Sequence, residues 1–145
     1  FSSSSELLEL CKSECGGANL LVMCAAVSDF VPTKVDGKIK KEDVGEILSL
    51  SLKRNVDILQ SLKEFKCKKI GFKLEISKEN AQKNARAMLE QKGLDAVCLN
   101  ILSEKNGFAS EQNEVNFITK NSETLLPLAA KDEIARHIVE LAANL

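Results

Sequence analysis

The stretch from Asn19 to Val27, Asn-Leu-Leu-Val-Met-Cys-Ala-Ala-Val, is almost unbroken in its apolarity. A run of this kind suits a strand covered on both faces, as in a parallel sheet. It falls far short of the roughly 20 apolar residues that a transmembrane helix takes. The run closes in small residues, Cys24-Ala25-Ala26-Val27-Ser28, followed by Asp29 and Phe30. A Gly-bearing loop comes next, with Lys38-Ile39-Lys40-Lys41 in it. In open α/β sheets, ligands bind outside the carboxyl ends of the strands. Small residues there let a ligand approach the backbone, and a lysine-rich loop just beyond can reach over phosphates. A strand followed by a solvated basic loop fits the same pattern.

The remaining chain alternates helical and strand-like segments. Ser3 to Cys15 reads as a helix: Ser3 and Glu6 have capping-box spacing, Leu7, Leu8 and Cys11 share a face, and Gly16-Gly17 is the stop. Phe30 to Glu46 reads as loop, and Ile47 to Leu52 as a short strand. Asn55 is the expected cap of a helix over Val56 to Glu64. Lys69 to Leu74 is a further strand. Ser77 is the expected cap of a helix with Ala81, Ala85, Met88 and Leu89 on one stripe and Gly93 beyond its end. Leu94 to Leu99 reads as a buried strand, Ile101 to Gln112 as a loop broken at Asn106-Gly107, and Asn113 to Thr119 as a strand. Leu125 to Leu128 reads as a short edge or connector, and Lys131 to Leu145 as the last helix. This order predicts an α/β fold: a doubly wound, Rossmann-like, mostly parallel sheet with flanking helices and a late antiparallel edge region. The 145 residues suffice for one domain.

Several functions are disfavoured. A net charge of −1 argues against a nucleic-acid surface. Six Phe with no Trp or Tyr give little to stack single strands on. Phe1 to Ser5 lacks the basic and apolar regions of a signal peptide. The five cysteines are scattered without a CxxC pair, and the single histidine, His137, is distant from them. They read as free thiols of a reducing cytoplasm rather than as a zinc site, and His137 reads as a surface or rim residue. No GxGxxG turn follows a strand, which counts against a dinucleotide dehydrogenase.

Seven segments in order carry a resemblance. They are Ala25-Ala26-Val27-Ser28-Asp29-Phe30; Lys38-Ile39-Lys40-Lys41; Asn55-Val56-Asp57-Ile58-Leu59; Gly71-Phe72 with Glu75; Lys92-Gly93-Leu94-Asp95 with Asn100; Gly107-Phe108 with Asn113; and Leu126-Pro127-Leu128. Together, across nearly all of the chain, they resemble phosphopantothenoylcysteine synthetase of the bacterial type. That enzyme is the C-terminal half of the bifunctional flavoprotein of coenzyme A biosynthesis.

The resemblance implies a CTP-dependent ligase. The carboxylate of 4′-phosphopantothenate would attack the α-phosphate of CTP, giving an acyl-cytidylate and pyrophosphate. The amine of cysteine would then take the acyl group and release CMP. By the same resemblance Lys38 is the mobile cation of catalysis and CTP binding. The backbone of Met23, Cys24 and Ala25 lies along the nucleotide, Asp29 contacts it, Val56, Asp57, Ile58 and Leu59 meet it at a helix start, Phe72 lies near the base, and Lys92 is a second cation on CTP. Magnesium would come with the triphosphate, with no metal ligands assigned to the protein. FMN would belong only to the decarboxylase domain, and none of its residues occur here. A homodimer is implied, with Val115 to Thr119 as an exposed sheet edge that would be consistent with it. Cytoplasmic location follows from the same reading.

The chain departs from the pattern in places. Val56 stands where proline is usual, Met88 where a lysine is common, and Lys73 and Leu74 where small residues follow Gly-Phe. The Gly-rich first turn and the Asn-x-Ser-Ser-Gly stretch of the acid-substrate side do not occur. Residues 1–145 therefore read as a single, partial synthetase domain carrying the CTP portion. An inactive nucleotide-binding or dimerisation fragment, and an ATP-using enzyme of the eukaryotic kind, are the competing readings.

Overall fold

A computed structural model describes residues 1–34, 36–103, 107 and 110–145. The elements are α1 (Ser4–Cys15), β1 (Leu20–Met23), β2 (Phe30–Pro32), α2 (Lys41–Val44), β3 (Leu52–Arg54) and α3 (Ile58–Ser61). They continue with β4 (Lys68–Glu75), α4 (Ala81–Gln91), β5 (Ala96–Ile101), β6 (Gln112–Thr119), β7 (Glu123–Ala130) and α5 (Lys131–Ala142). One sheet has the order β1-β4-β5-β6-β7, and β2 and β3 form a separate ribbon. β1, β4 and β5 are parallel neighbours, whereas β6 and β7 add antiparallel.

The central strand β5 is apolar on both faces because both are covered. Val97 and Leu99 pack with α1, α3 and α4, while Ala96 and Cys98 pack with α5. The expected mixed α/β architecture with flanking helices and a late antiparallel region is the one the chain adopts. Desolvation, then the neighbouring Cys24, pushes the Cys98 thiol up to about 12. All five cysteines are free thiols.

Helix ends differ from expectation in instructive ways. Ser3 caps α1 as expected, its Oγ accepting the Glu6 amide at 3.2 Å. The Glu6 carboxylate, however, accepts from the amide and hydroxyl of Ser2, one residue earlier than a capping box requires. Asp57, not Asn55, caps α3 through Oδ1 and the Gln60 amide at 3.0 Å. The Asn55 side chain bonds instead to Ser4, Ser28 and Val56. Ser77 does not cap α4; Asn80, left-handed at φ 61°, precedes that helix. At the far end Gly93, at φ 60°, closes α4: the Leu94 amide donates to Leu89 O and the Gly93 amide to Glu90 O. This Schellman arrangement uses the conformation that glycine adopts without strain. The last helix stops at Ala142 rather than Leu145.

Several strand and loop expectations are corrected. The Asn19–Val27 run is ladder-paired only over Leu20–Met23, and β1 pairs with β4 alone at the border of the sheet. Its first three residues are half-buried instead of covered on both faces. Residues 30–46, expected as loop, contain β2 and α2. The Ile47–Leu52 alternation is not a strand, and Ile47 is 82% exposed. The strand starts at Leu52, where Phe30, Val31 and Pro32 face Arg54, Lys53 and Leu52. β7 is eight residues long, formed as a hairpin with β6 whose turn is tied by Thr119 Oγ1 accepting the Asn121 and Ser122 amides. Consequently Val115–Thr119 is not an edge: β6 is paired on both sides, and β7 is the border strand. Pro127 is tolerated there because an edge strand leaves N–H groups unpaired. Asn106 and Phe108 lie outside the described residues, as does the Lys41 side chain.

Candidate functional site

A cleft of about 760 Å³ opens where β1 and β4 end. Met23 stands opposite Gly71 in the ladder, and beyond that pair the two strands have no further register. The space is walled by residues 25–29 after β1, residues 54–60 before and in α3, Phe72–Leu74 of β4, and Met88 and Lys92 from α4.

Gly71 sets the packing beside the cleft. A Cβ there would lie 2.9 Å from Leu94 Cδ1, 2.9 Å from Met88 Cε and 3.1 Å from Leu59 Cδ1. Only a residue without a side chain lets these groups close over β4 at this height.

Asn55 sets the near wall. Its amide donates to Asp29 O at 2.8 Å, and its Nδ2 donates to Ser28 O at 2.8 Å. Its Oδ1 accepts from Ser4 Oγ and from the Val56 amide, each at 2.9 Å. One side chain thus ties the segment after β1 to the start of α1 and the approach to α3. The Val56 N–H, which a proline would lack, is satisfied by this same oxygen.

Two of the cations lining the cleft, Lys92 and Lys73, are held in ion pairs. Asp57 Oδ2 lies 3.0 Å from Lys92 Nζ, joining the start of α3 to the end of α4 across the cleft. Lys73 Nζ lies 3.4 Å from Glu75 Oε1. Hydrogen bonding from Asn84 Nδ2, at 2.9 Å, and then the Lys73 ammonium hold the Glu75 carboxyl below the usual range. Arg54 also lines the cleft.

Of the residues named from sequence, Met23, Ala25, Asp29, Val56, Asp57, Ile58, Leu59, Phe72 and Lys92 line this one space. The side chains of Ile58 and Leu59 belong to the buried core, so their contribution to the cleft is largely backbone. Phe72 keeps 37% of its surface exposed. Cys24 and Lys38 are not among the lining residues. Desolvation raises the Cys24 thiol above its ordinary value, which disfavours a nucleophilic thiolate. Sequence reasoning passed over Arg54 and Gln60. The signal for Arg54 was a cation directly preceding the Asn55-Val56-Asp57 segment; Gln60 had none.

Among the described residues no group of three or more His, Cys, Asp or Glu side chains is placed to hold a metal ion. No helix among them is long and apolar enough to cross a membrane.

The family model described as the DNA/pantothenate metabolism flavoprotein C-terminal domain matches residues 1–145. The chain belongs to this family. The coenzyme A biosynthesis bifunctional protein CoaBC of Vibrio cholerae serotype O1 is 31% identical over 144 residues, covering 96% of this chain and 36% of that protein. CoaBC of Bacillus subtilis is 32% identical over 146 residues, with 99% and 36% covered. The chain therefore spans about a third of the length of these curated relatives. The crystal structure of the C-terminal domain of CoaBC superposes with a TM-score of 0.76 at 26% identity, over 98% of this chain and 62% of that one. The family read from seven scattered segments is the one the comparisons show.

Proposed function

We propose that this domain binds CTP in the β1–β4 cleft and serves a phosphopantothenate–cysteine ligase of coenzyme A synthesis. One observation carries the reading. Residues that resemble the nucleotide contacts of the synthetase are spread from Met23 to Lys92 in sequence, yet nine of them line one cleft. That cleft lies at the carboxyl ends of parallel strands, where open α/β sheets bind nucleotides.

The chemistry asks little covalent work of the protein. Nucleotidylation turns a poor electrophile, the carboxylate, into one with a good leaving group. The protein has to hold two anionic substrates against each other and offset their charge. In this reading the small residues Ala25 and Ala26 admit the nucleotide to the backbone after β1. Phe72 supplies an apolar surface for the base, and Asp29 accepts from polar groups of the nucleotide. Lys92, held by Asp57, presents a positioned ammonium. Lys38 acts from the basic loop as a cation that follows phosphate charge through both steps. Magnesium enters with the triphosphate as part of the substrate, its coordination filled largely by phosphate oxygens and water. FMN belongs to the decarboxylase half of the bifunctional relatives, and no residue of this chain is assigned to it. A homodimer in the cytoplasm is part of the same proposal.

Thermal unfolding with magnesium and CTP, ATP or GTP tests the reading. A ligand at a hundredfold excess over its Kd adds about 2.7 kcal/mol to the native state. The expected result is a rise with CTP that exceeds those with ATP and GTP and is reduced in Lys38→Gln. Equal rises with all three nucleotides would remove the case for CTP, and no rise with any would remove the case for a nucleotide site.

A further inference from the structure

We propose that Arg54 is an anion anchor of the cleft, its guanidinium taking a pair of phosphate oxygens from a bound substrate. The inference rests on the ligase reading above and adds a residue that the family resemblance did not supply.

Three cations line the cleft: Arg54, Lys73 and Lys92. Lys92 is held by Asp57 at 3.0 Å and Lys73 by Glu75 at 3.4 Å. Arg54 has no carboxylate in ion-pairing distance among the described residues, although Asp29 lines the same space. Arg54 is therefore the lining cation whose charge is not already offset by a protein carboxylate.

Its backbone is also well fixed. Arg54 is the last residue of β3 and stands opposite Phe30 in the ribbon. The next residue is Asn55, whose main chain and side chain bond to Asp29, Ser28, Ser4 and Val56. The side chain thus starts from a braced point at the cleft wall. A guanidinium offers a planar fork of donors matched to two oxygens of a phosphate, which an ammonium does not. The phosphate could come from the nucleotide triphosphate or from the phosphomonoester of the acid substrate, and the chemistry of recognition is shared.

Titration calorimetry on the chain, as wild type, Arg54→Gln and Arg54→Lys, separates these cases. The probes are magnesium-CTP, cytidine, inorganic pyrophosphate and 4′-phosphopantothenate. The inference expects Arg54→Gln to weaken at least one phosphate-bearing probe by about tenfold or more, the low end for a charge-assisted contact. Arg54→Lys should recover only part of the loss, and cytidine binding should not change. Loss confined to CTP and pyrophosphate assigns the triphosphate; loss confined to phosphopantothenate assigns the monoester. Unchanged affinity for every phosphate-bearing probe, or equal losses for CTP and cytidine, overturns the inference. If the wild type binds pyrophosphate through Arg54 but no cytidine nucleotide, the ligase reading fails and the anchor stands. If the wild type binds CTP and Arg54→Gln binds every phosphate-bearing probe just as tightly, the anchor fails and the reading stands. Binding of no probe by the wild type overturns both. An unchanged melting temperature of Arg54→Gln without ligand establishes that affinity, not folding, has been altered.

Discussion

Asp57 divides one carboxylate between two helices, with Oδ1 accepting the Gln60 amide at 3.0 Å and Oδ2 lying 3.0 Å from Lys92 Nζ. The two jobs can be separated. Asp57→Asn keeps an acceptor for the cap and gives up the charge. Because both partners are partly exposed, that loss is at most about 1 kcal/mol. Asp57→Ala gives up the cap as well and costs roughly 1 kcal/mol more. Urea unfolding should rank wild type, Asp57→Asn and Asp57→Ala in decreasing stability. Equal destabilisation by the two variants would mean that the cap adds nothing.

Gly71 admits the closure of Leu59, Met88 and Leu94 over β4. Gly71→Ala should destabilise the domain by about 1–3 kcal/mol, the usual cost of overpacking. Met88→Ala removes one of the colliding groups. The double variant should therefore be less destabilised than the sum of the single ones, by more than the roughly 0.5 kcal/mol seen between independent sites. Simple additivity in denaturant unfolding would show that Met88 is not what the added methyl meets.

Elements with strong internal periodicity were legible without coordinates. The stripe Ala81, Ala85, Leu89 gave α4, and the doubly covered run around Val97 gave β5. What escaped is held by contacts distant in sequence. Phe30–Pro32 becomes a strand only because Leu52–Arg54 lies beside it. Ile47, Leu48 and Leu50 alternate like a strand yet are exposed, since no covering element reaches them among the described residues. Asn55 looks like a helix cap by position, but its Oδ1 is taken by Ser4 and Val56. The motif residues of the cleft were legible as a set through family resemblance. Arg54 was not, because its importance appears only when the other cations are seen to be paired.

Acid should weaken the contacts of Glu75 with Lys73, which lines the cleft, and with Asn84. The Glu75 carboxyl is held below the ordinary range by Asn84 and then by Lys73. A depressed folded-state value contributes stability that is present above the unfolded value, near 4.5, and is lost as pH falls through the folded value. Asn84→Ala should move the Glu75 titration, followed by carboxyl-carbon NMR, upward towards its ordinary position. The dependence of stability on pH below that value should flatten in the same variant. A titration that does not move would assign the depression to Lys73 alone.

The location of the nucleotide is the central claim, and amide NMR during titration with magnesium-CTP tests it most directly. The account predicts saturable shifts concentrated at residues 25–29, 54–60, 72–74 and 92, with little change along α5 and β7. Saturable shifts centred elsewhere on the chain, or none at millimolar nucleotide, would contradict it.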